Sequence, residues 1–297
     1  MNAELTAPVR DVASTLQPRA GASRRATIKW WPISQHLLII CVFLVYAFPI
    51  FWMVTLSFKA DADAFVLPPK LAFSPTLSQY QNLLANWPFV TFYRNSLIIV
   101  VGALLISTAL AIPLAYSLAR FRWRHKRDIS FFVLSQLMLP PEGIVVPIYL
   151  MFQRFTLLGT LWAPMLIYIV FALPFITWIM KGFFESAPVE IEEAALVDGA
   201  SRYEVVWRIV LPLALGSLTS TVMLAAITLW NEFFFAFVLT NVDTYTAPVA
   251  ILGLWTQYQV YWGQIAAAGV LVSLPIVGFG LIVQRHLVRG LTLGAVK

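Results

Sequence analysis

The stretch EIEEAALVDGASRYEVVWRIVLP, Glu190 to Pro212, is a charged segment within a chain that is otherwise largely apolar. Six of the chain's fourteen acidic residues fall between positions 185 and 204, so this segment is predicted to lie outside a lipid bilayer. Pro188 is favourable in a first helical turn, where a missing N–H costs no hydrogen bond. Gly199 suits the left-handed backbone that ends many helices. The sequence therefore predicts a short helix from about Pro188 to Asp198.

A second helix is predicted directly after this turn. Ser201 and Glu204 have the spacing of a capping box, in which each side chain hydrogen-bonds the backbone N–H of the other residue. Pro212 marks the point at which the next apolar run begins. The segment is therefore predicted to be two helices joined by a tight turn.

The first helix of this hairpin has the features of a docking surface. Ala194 and Ala195 are small enough to let another surface approach the backbone closely. Glu190 and Glu193, three residues apart, repel each other unless a basic partner is present. The alternative interpretation is a solvated amphipathic loop without a partner.

The order of residues in the hairpin resembles the EAA signature of the membrane subunits of bacterial ABC importers. The matching positions are Glu193, Ala194, Ala195, Gly199, Ile209, Leu211 and Pro212. The resemblance implies that the hairpin is a coupling helix that seats in a cleft of a separate ATPase subunit. Segment 185–212 is thus the predicted coupling segment, and its other candidate coupling residues are Glu190, Asp198 and Ser201.

Composition places the chain in a membrane. It has 297 residues, of which 60% are hydrophobic and 11% are charged, a balance far from that of a soluble globular protein. An all-α polytopic fold is expected, because a helix of about twenty apolar residues crosses the hydrocarbon core of a bilayer. Six transmembrane helices are predicted, at about 37–58, 96–118, 130–152, 161–180, 213–239 and 265–283.

Lys and Arg are distributed unequally between the two sides of these predicted spans. Sixteen of the 20 lie in the two terminal segments, the loop after the second span and the hairpin. Because basic residues concentrate in cytoplasmic loops, both termini and the hairpin are predicted to lie in the cytoplasm, on the inner side of a bacterial cytoplasmic membrane. This topology explains the net charge of +6 without a nucleic-acid partner. Residues 1–34 are predicted to be a disordered cytoplasmic tail, and residues 35–297 the transmembrane domain.

Two acidic residues lie within predicted spans, where a charged side chain costs about 2.5–3.5 kcal/mol on insertion scales. Glu142 follows Pro140 and Pro141, so the third span is predicted to be kinked or broken near its middle. In a regular helix Ser135, Glu142 and Tyr149 would share a face. These three residues are candidates for a solute pathway.

The second intramembrane acid, Glu232, lies in the fifth predicted span. With Ser217, Thr221 and Thr228 it would form a polar stripe along one face of a regular helix. Such a stripe either hydrogen-bonds other helices or a sister subunit, or it faces a solute pathway. The candidate pathway residues in this span are Thr221, Thr228, Trp230, Asn231 and Glu232.

The predicted external loop at 240–263 is rich in aromatic residues. It contains Trp255, Tyr258, Tyr261 and Trp262 and no basic residue. Such side chains commonly form a belt at the membrane interface, and contact with an extracytoplasmic partner is the alternative.

The sequence lacks motifs for catalysis and metal binding. It contains no phosphate-binding G-x-x-x-x-G-K-[ST] loop, so ATP and Mg are expected to bind to a partner ATPase. His36, His125 and His286 lack metal-ligand spacing, and Cys41 is the single cysteine. The chain is therefore predicted to be a transport subunit and not an enzyme.

Three further stretches resemble the carbohydrate-type, maltose-permease-like branch of the same family, at residues 76–84, 230–240 and 284–297. The resemblance implies a second homologous permease subunit, two ATPase subunits and an extracytoplasmic solute-binding protein. It also implies a sugar, a polyol or a sugar derivative as substrate, with this chain forming half of the translocation pathway. The alternatives are a secondary transporter driven by an ion gradient through Glu142 or Glu232, and a membrane enzyme or scaffold.

Overall fold

The computed structural model describes residues 30–64, 66, 68, 70–256 and 260–294. Its helices are α1 (Trp30–Ser57), α2 (Asp61–Ala64), α3 (Ser78–Asn86), α4 (Phe89–Arg120), α5 (Lys126–Gln136), α6 (Pro141–Arg154), α7 (Trp162–Ser186), α8 (Val189–Val197), α9 (Arg202–Glu204), α10 (Leu211–Trp230), α11 (Phe234–Leu239), α12 (Ala247–Ala250) and α13 (Trp262–Gly294). A π-helical turn, Val205–Val210, joins α9 to α10, and a 3-10 turn, Ile251–Leu254, follows α12. Within these ranges the strand-like pairing is limited to an isolated bridge between Trp255 and Val260. The expectation of an all-α fold is therefore confirmed.

Helix α1 begins inside the segment predicted to be a disordered tail. Residues 1–29 of that tail lie outside the described residues, whereas residues 30–34 are helical. Pro32 is compatible with this start, because the first N–H groups of a helix have no intrahelical acceptor.

The chain divides after Pro49 into two compact units. The described part of the first unit, residues 30–49, is the N-terminal part of α1. The second unit, residues 50–297, contains the remaining helices, including both arms of the hairpin.

Five helices are long and apolar enough to cross a membrane, and a bent pair raises the number to six. The five are Gln35–Ser57, Phe89–Arg120, Trp162–Ser186, Arg202–Trp230 and Trp262–Ile282. The bent pair consists of α5 and α6, which meet at 95°. The expected six-span architecture therefore applies when this pair is counted as one span.

The centre of the second unit is the contact between α4 and α7. Helix α4 presents a row of small, fully buried residues at every fourth position, which are Ala103, Ser107, Ala111 and Ala115. Residues four apart lie on one helix face, and small side chains let two membrane helices approach closely. Even a Cβ atom on Gly102 would lie 2.8 Å from Cε of Met165 on α7. The row therefore fixes α4 tightly against α7.

Two prolines break the third span between α5 and α6. Pro140 and Pro141 have no N–H, so the carbonyl groups of Gln136 and Leu137 lose the donors that a continuous α-helix would supply. The chain turns instead through short-range bonds, including one from Leu137 N to Leu134 O of 3.1 Å. The predicted break is confirmed as a sharp bend.

The fifth span is also broken, which differs from the single helix predicted at 213–239. Helix α10 ends at Trp230 and α11 begins at Phe234. The Glu232 carboxylate accepts hydrogen bonds from Phe235 N at 2.8 Å and Ala236 N at 3.1 Å. Because these donors are the free N–H groups at the start of α11, Glu232 stabilises a new helix start and does not continue the stripe of α10.

A small layer covers the N-terminal end of α4, opposite the end that meets the hairpin. Helix α3, α12 and the 3-10 turn pack there against α4 and α13 around Leu83, Phe92 and Leu254. Buried polar groups fix this layer: the Asn95 amide donates to the carbonyls of Asp243 and Tyr245, each at 3.2 Å. The predicted loop at 240–263 is thus anchored to the helix bundle at its start.

Candidate functional site

The first arm of the hairpin is α8, which occupies the predicted position between Pro188 and Asp198. Gly199 has a φ of +90°, a left-handed conformation that residues with a side chain rarely adopt. Ala200 N donates to Ala195 O at 3.0 Å and Gly199 N donates to Leu196 O at 3.1 Å. These two bonds form a Schellman motif, which ends the helix and reverses the chain.

The second arm begins with the predicted capping box. Ser201 Oγ accepts from Glu204 N at 3.3 Å, and Ser201 N donates to the Glu204 carboxylate at 3.0 Å. The arm continues through the π-helical turn into α10, where Leu211 N donates to Val206 O. The wider turn accommodates Pro212, whose missing N–H and bulky ring disfavour a regular helix at this point.

The two faces of α8 have different environments. One face is exposed and contains Glu190, Glu193, Ala194 and Val197, the last with 86% of its surface accessible. Residues 190, 193, 194 and 197 have the spacing of a single helix face. Neither Glu190 nor Glu193 has an ion-pair partner within the part of the chain that the structure describes.

The opposite face of α8 is locked to the end of α4 through Glu192. Its carboxylate accepts from Arg120 Nε at 2.8 Å and from the Tyr116 hydroxyl at 2.7 Å, and it lies 2.7 Å from Arg120 Nη2. Arg120 Nη2 also donates to Ala187 O at 2.9 Å. The side chains of Arg120 and Glu192 are only 11% and 8% exposed, so water competes weakly with the pair. We call Tyr116, Arg120 and Glu192 the hairpin clamp.

The sequence alone does not predict the clamp. Glu192 counts there only among the acidic residues of the hairpin, and Arg120 only among the basic residues that indicate topology. Helical periodicity could have indicated the clamp, because it places residues 192, 195 and 196 on the face opposite to residues 190, 193 and 197. Ala195 and Leu196 pack against the main core, so a carboxylate on the same face requires a partner.

The candidate pathway residues of the third span do not share a helix face. Ser135 lies on α5, where its hydroxyl donates to Phe132 O at 2.8 Å. Glu142 and Tyr149 lie on α6, beyond the 95° bend. Glu142 is exposed in the first turn of α6, where the helix dipole favours a negative charge. The regular helix in which these three residues would share a face does not form, because the two prolines redirect the chain.

The candidate pathway residues of the fifth span divide into buried and exposed groups. Thr221 is buried and donates to Ser217 O at 2.7 Å. Trp230 is 1% exposed, and its indole N–H donates to Val272 O on α13 at 2.9 Å. Asn231 is exposed, and its amide donates to Ile227 O at 2.8 Å. The Trp230 ring is thus engaged between helices and not open to a solute in this conformation.

Glu232 has a structural network of its own. Besides capping α11, its carboxylate accepts from the Tyr168 hydroxyl at 2.9 Å. Tyr168 belongs to α7, so Glu232 ties the α10–α11 break to the central helix pair. This is the helix-to-helix hydrogen bonding that was one of the two interpretations of the polar stripe.

A cavity of about 250 Å³ opens at the bend between α5 and α6. It lies between the bend, α7 and α10, and Thr228 is one of its lining residues. Among the described residues, no three His, Cys, Asp or Glu side chains converge on one point.

Fold and hairpin together define a polytopic, all-α membrane protein with an exposed helical hairpin at one end. Residues 111–293 match the family described as binding-protein-dependent transport system inner membrane component. The match covers more than half of the chain and includes the hairpin. The chain belongs to this family.

Individual relatives agree with this family. The chain is 37% identical over 253 residues to a probable ABC transporter permease, y4oR, of Sinorhizobium fredii, covering 85% of this chain and 91% of that one. It is 33% identical to the diacetylchitobiose uptake system permease DasC of Streptomyces coelicolor, covering 90% and 96%. Its fold matches a chain of a bacterial ABC transporter involved in alginate import, with a TM-score of 0.76, 24% identity and coverage of 91% and 99%. The resemblance to ABC importer permeases drawn from the hairpin is confirmed.

Proposed function

We propose that this chain forms half of the translocation pathway of an ATP-driven importer for a sugar, a polyol or a sugar derivative, and that α8 docks on a separate ATPase subunit. The observation that carries the proposal is the hairpin clamp. It holds one face of α8 rigidly on α4 while the other face presents carboxylates to the surroundings. A mechanical link needs such an arrangement, because a mobile hairpin would absorb the movement of its partner.

The contacts of the clamp define a route for that movement. A displacement of α8 acts on α4 through Arg120 and Glu192, and α4 is packed along its small-residue row against α7. Tyr168 of α7 then reaches the α10–α11 break through Glu232. Closure of two ATPase subunits would push the hairpins of two permeases together and thereby switch the bundle between inward-open and outward-open states.

The substrate class rests on the relatives and on the branch resemblance. One relative is named for diacetylchitobiose uptake and another for trehalose and maltose transport, whereas a structural neighbour belongs to a transporter of the acidic polysaccharide alginate. The stretches at 76–84, 230–240 and 284–297 also resemble the carbohydrate-type branch. A neutral or weakly modified saccharide is therefore the substrate class to test first.

The proposed assembly has four other subunits. They are a second homologous permease, two ATPase subunits that bind ATP and Mg, and an extracytoplasmic solute-binding protein. The family description names binding-protein dependence and an inner-membrane component. We place both termini and the hairpin in the cytoplasm, where the ATPases would meet α8.

Reconstituted uptake tests this function directly. The purified complex in proteoliposomes, with its solute-binding protein outside, should import maltose, trehalose or N,N′-diacetylchitobiose when ATP is enclosed and not when ADP is enclosed. An uncoupler should leave uptake unchanged. Uptake that persists without ATP and collapses with the uncoupler would establish an ion-driven transporter and overturn the proposal.

A further inference from the structure

The cavity at the α5–α6 bend has a lining that combines aromatic and polar groups. Its ten lining residues are Gln136, Leu137, Leu139, Pro141, Phe171, Ala172, Phe175, Ala225, Thr228 and Leu229. Its volume of about 250 Å³ equals roughly eight water molecules at ~30 Å³ each. That space is comparable with the volume of one hexose ring.

One wall of the cavity is aromatic. Phe171 and Phe175 are four residues apart on α7, so their rings lie one above the other on one helix face. Both residues are half-buried, which leaves part of each ring open to the cavity. Flat apolar surfaces of this kind suit the C–H faces of a pyranose.

The other walls supply hydrogen-bonding groups without any charge. Gln136 and Thr228 are the residues with polar side chains among those that line the cavity. Thr228 Oγ1 donates to Leu224 O at 3.1 Å, so its oxygen lone pairs remain able to accept. The Leu137 carbonyl lacks the usual helical donor because residue 141 is a proline. These acceptors and the amide match the hydroxyl edge of a sugar.

We propose that this cavity is a subsite that binds one ring of a neutral saccharide during translocation. The inference rests on the proposed function and deepens it, because it assigns the ring to this subunit and to named residues. The absence of charge among the ten lining residues disfavours uronates and sugar phosphates, since neither anion would find a cationic partner. A second ring of a disaccharide lies outside the cavity, towards its open side.

Protection of an introduced thiol tests the location of the subsite. In the full complex with Cys41→Ser, Thr228→Cys is treated with a small methanethiosulfonate reagent, with and without the neutral disaccharide that the wild-type complex imports. The saccharide should slow the reaction at least tenfold. Thr219→Cys, on the same helix but outside the cavity lining, should react at the same rate in both conditions.

A second variant tests the chemistry of the aromatic wall. Phe175→Leu keeps apolar volume but removes the flat ring, so the KM for uptake should rise several-fold, with a smaller effect on the maximal rate. Phe175→Tyr should restore most of the affinity. A glucuronic-acid disaccharide should give no protection of Thr228→Cys.

The outcomes separate the subsite from the proposed function. If the wild-type complex imports none of the three neutral disaccharides, the proposed function fails. If import is normal but the saccharide leaves Thr228→Cys unprotected and Phe175→Leu keeps a normal KM, the subsite is overturned while the function stands.

Discussion

At the scale of single residues, two neighbouring glutamates show how helical register decides a role. Glu192 is buried in the hairpin clamp, whereas Glu193 is exposed on the opposite side of α8. The EAA resemblance includes the exposed glutamate and makes it a candidate docking residue. It gave no indication of the buried one, whose role depends on Arg120, a residue 72 positions earlier in the chain.

Glu192→Gln should destabilise the protein and Glu193→Gln should not. Breaking one partner of a buried ion pair costs about 3–5 kcal/mol, whereas an exposed substitution stays within about 0.5 kcal/mol of wild type. Denaturant unfolding in detergent measures the difference. Glu193→Gln should instead weaken binding of the purified ATPase subunit. Equal destabilisation by the two variants would contradict the clamp.

Gly199→Val should uncouple transport from ATP hydrolysis while the protein remains in the membrane. No atom lies within 4 Å of the Cβ position at Gly199, so the effect comes from the left-handed backbone. Strain of this kind costs about 1–3 kcal/mol and would change the direction in which α8 leaves the turn. The measurement is the number of solute molecules imported per ATP hydrolysed.

Gly199→Asn is the matched control for the turn. Asparagine tolerates the left-handed conformation better than other residues with a side chain, so coupling should be largely retained. Loss of coupling in Gly199→Asn but not in Gly199→Val would reject the backbone explanation.

At the scale of helices, the sequence predicted long spans well and their interruptions unevenly. Pro140 and Pro141 indicated the break in the third span, because two successive missing donors cannot be accommodated in a regular helix. The break at 231–233 carries no proline, and it depends on Glu232 bonding to Tyr168 on another helix. A tertiary contact of that kind has no local sequence signal, so a single fifth helix was the expected result.

Ala111→Leu should destabilise the α4–α7 pair. Ala111 is fully buried in the small-residue row, and a larger side chain in a close-packed contact costs typically about 1–3 kcal/mol. Ala109→Leu on the exposed side of the same helix should leave stability unchanged. Thermal unfolding of both variants in detergent gives the comparison, and a similar melting temperature for the two would argue against close packing at the row.

At the scale of the whole molecule, the hairpin clamp and the small layer around Leu83, Phe92 and Leu254 occupy opposite ends of α4. Arg120 ends that helix beside the hairpin, and Asn95 near its start holds the segment at 243–245. In the proposed topology, which follows from the distribution of Lys and Arg, the hairpin end lies in the cytoplasm. One helix therefore connects the proposed ATPase side to the proposed side of the solute-binding protein.

This orientation predicts a labelling pattern in intact cells. In a Cys41→Ser background, Asp243→Cys should react with a membrane-impermeant maleimide added outside. Arg124→Cys, in the exposed loop after α4, should react only after the membrane is permeabilised. The reverse pattern would invert the topology.

The wide turn at Val205–Val210 also predicts whether the hairpin can vary in length among related proteins. This turn holds one residue more than an ordinary helical turn, and the wider turn accommodates Pro212, so a deletion there would place Pro212 in a regular helix that its ring and missing N–H disfavour. A deletion within α8 would rotate the remainder of the helix by about 100° and so change which residues face α4. Natural relatives should accordingly keep a constant length in both arms of the hairpin, as the fixed spacing from Glu193 to Pro212 in the EAA signature also implies.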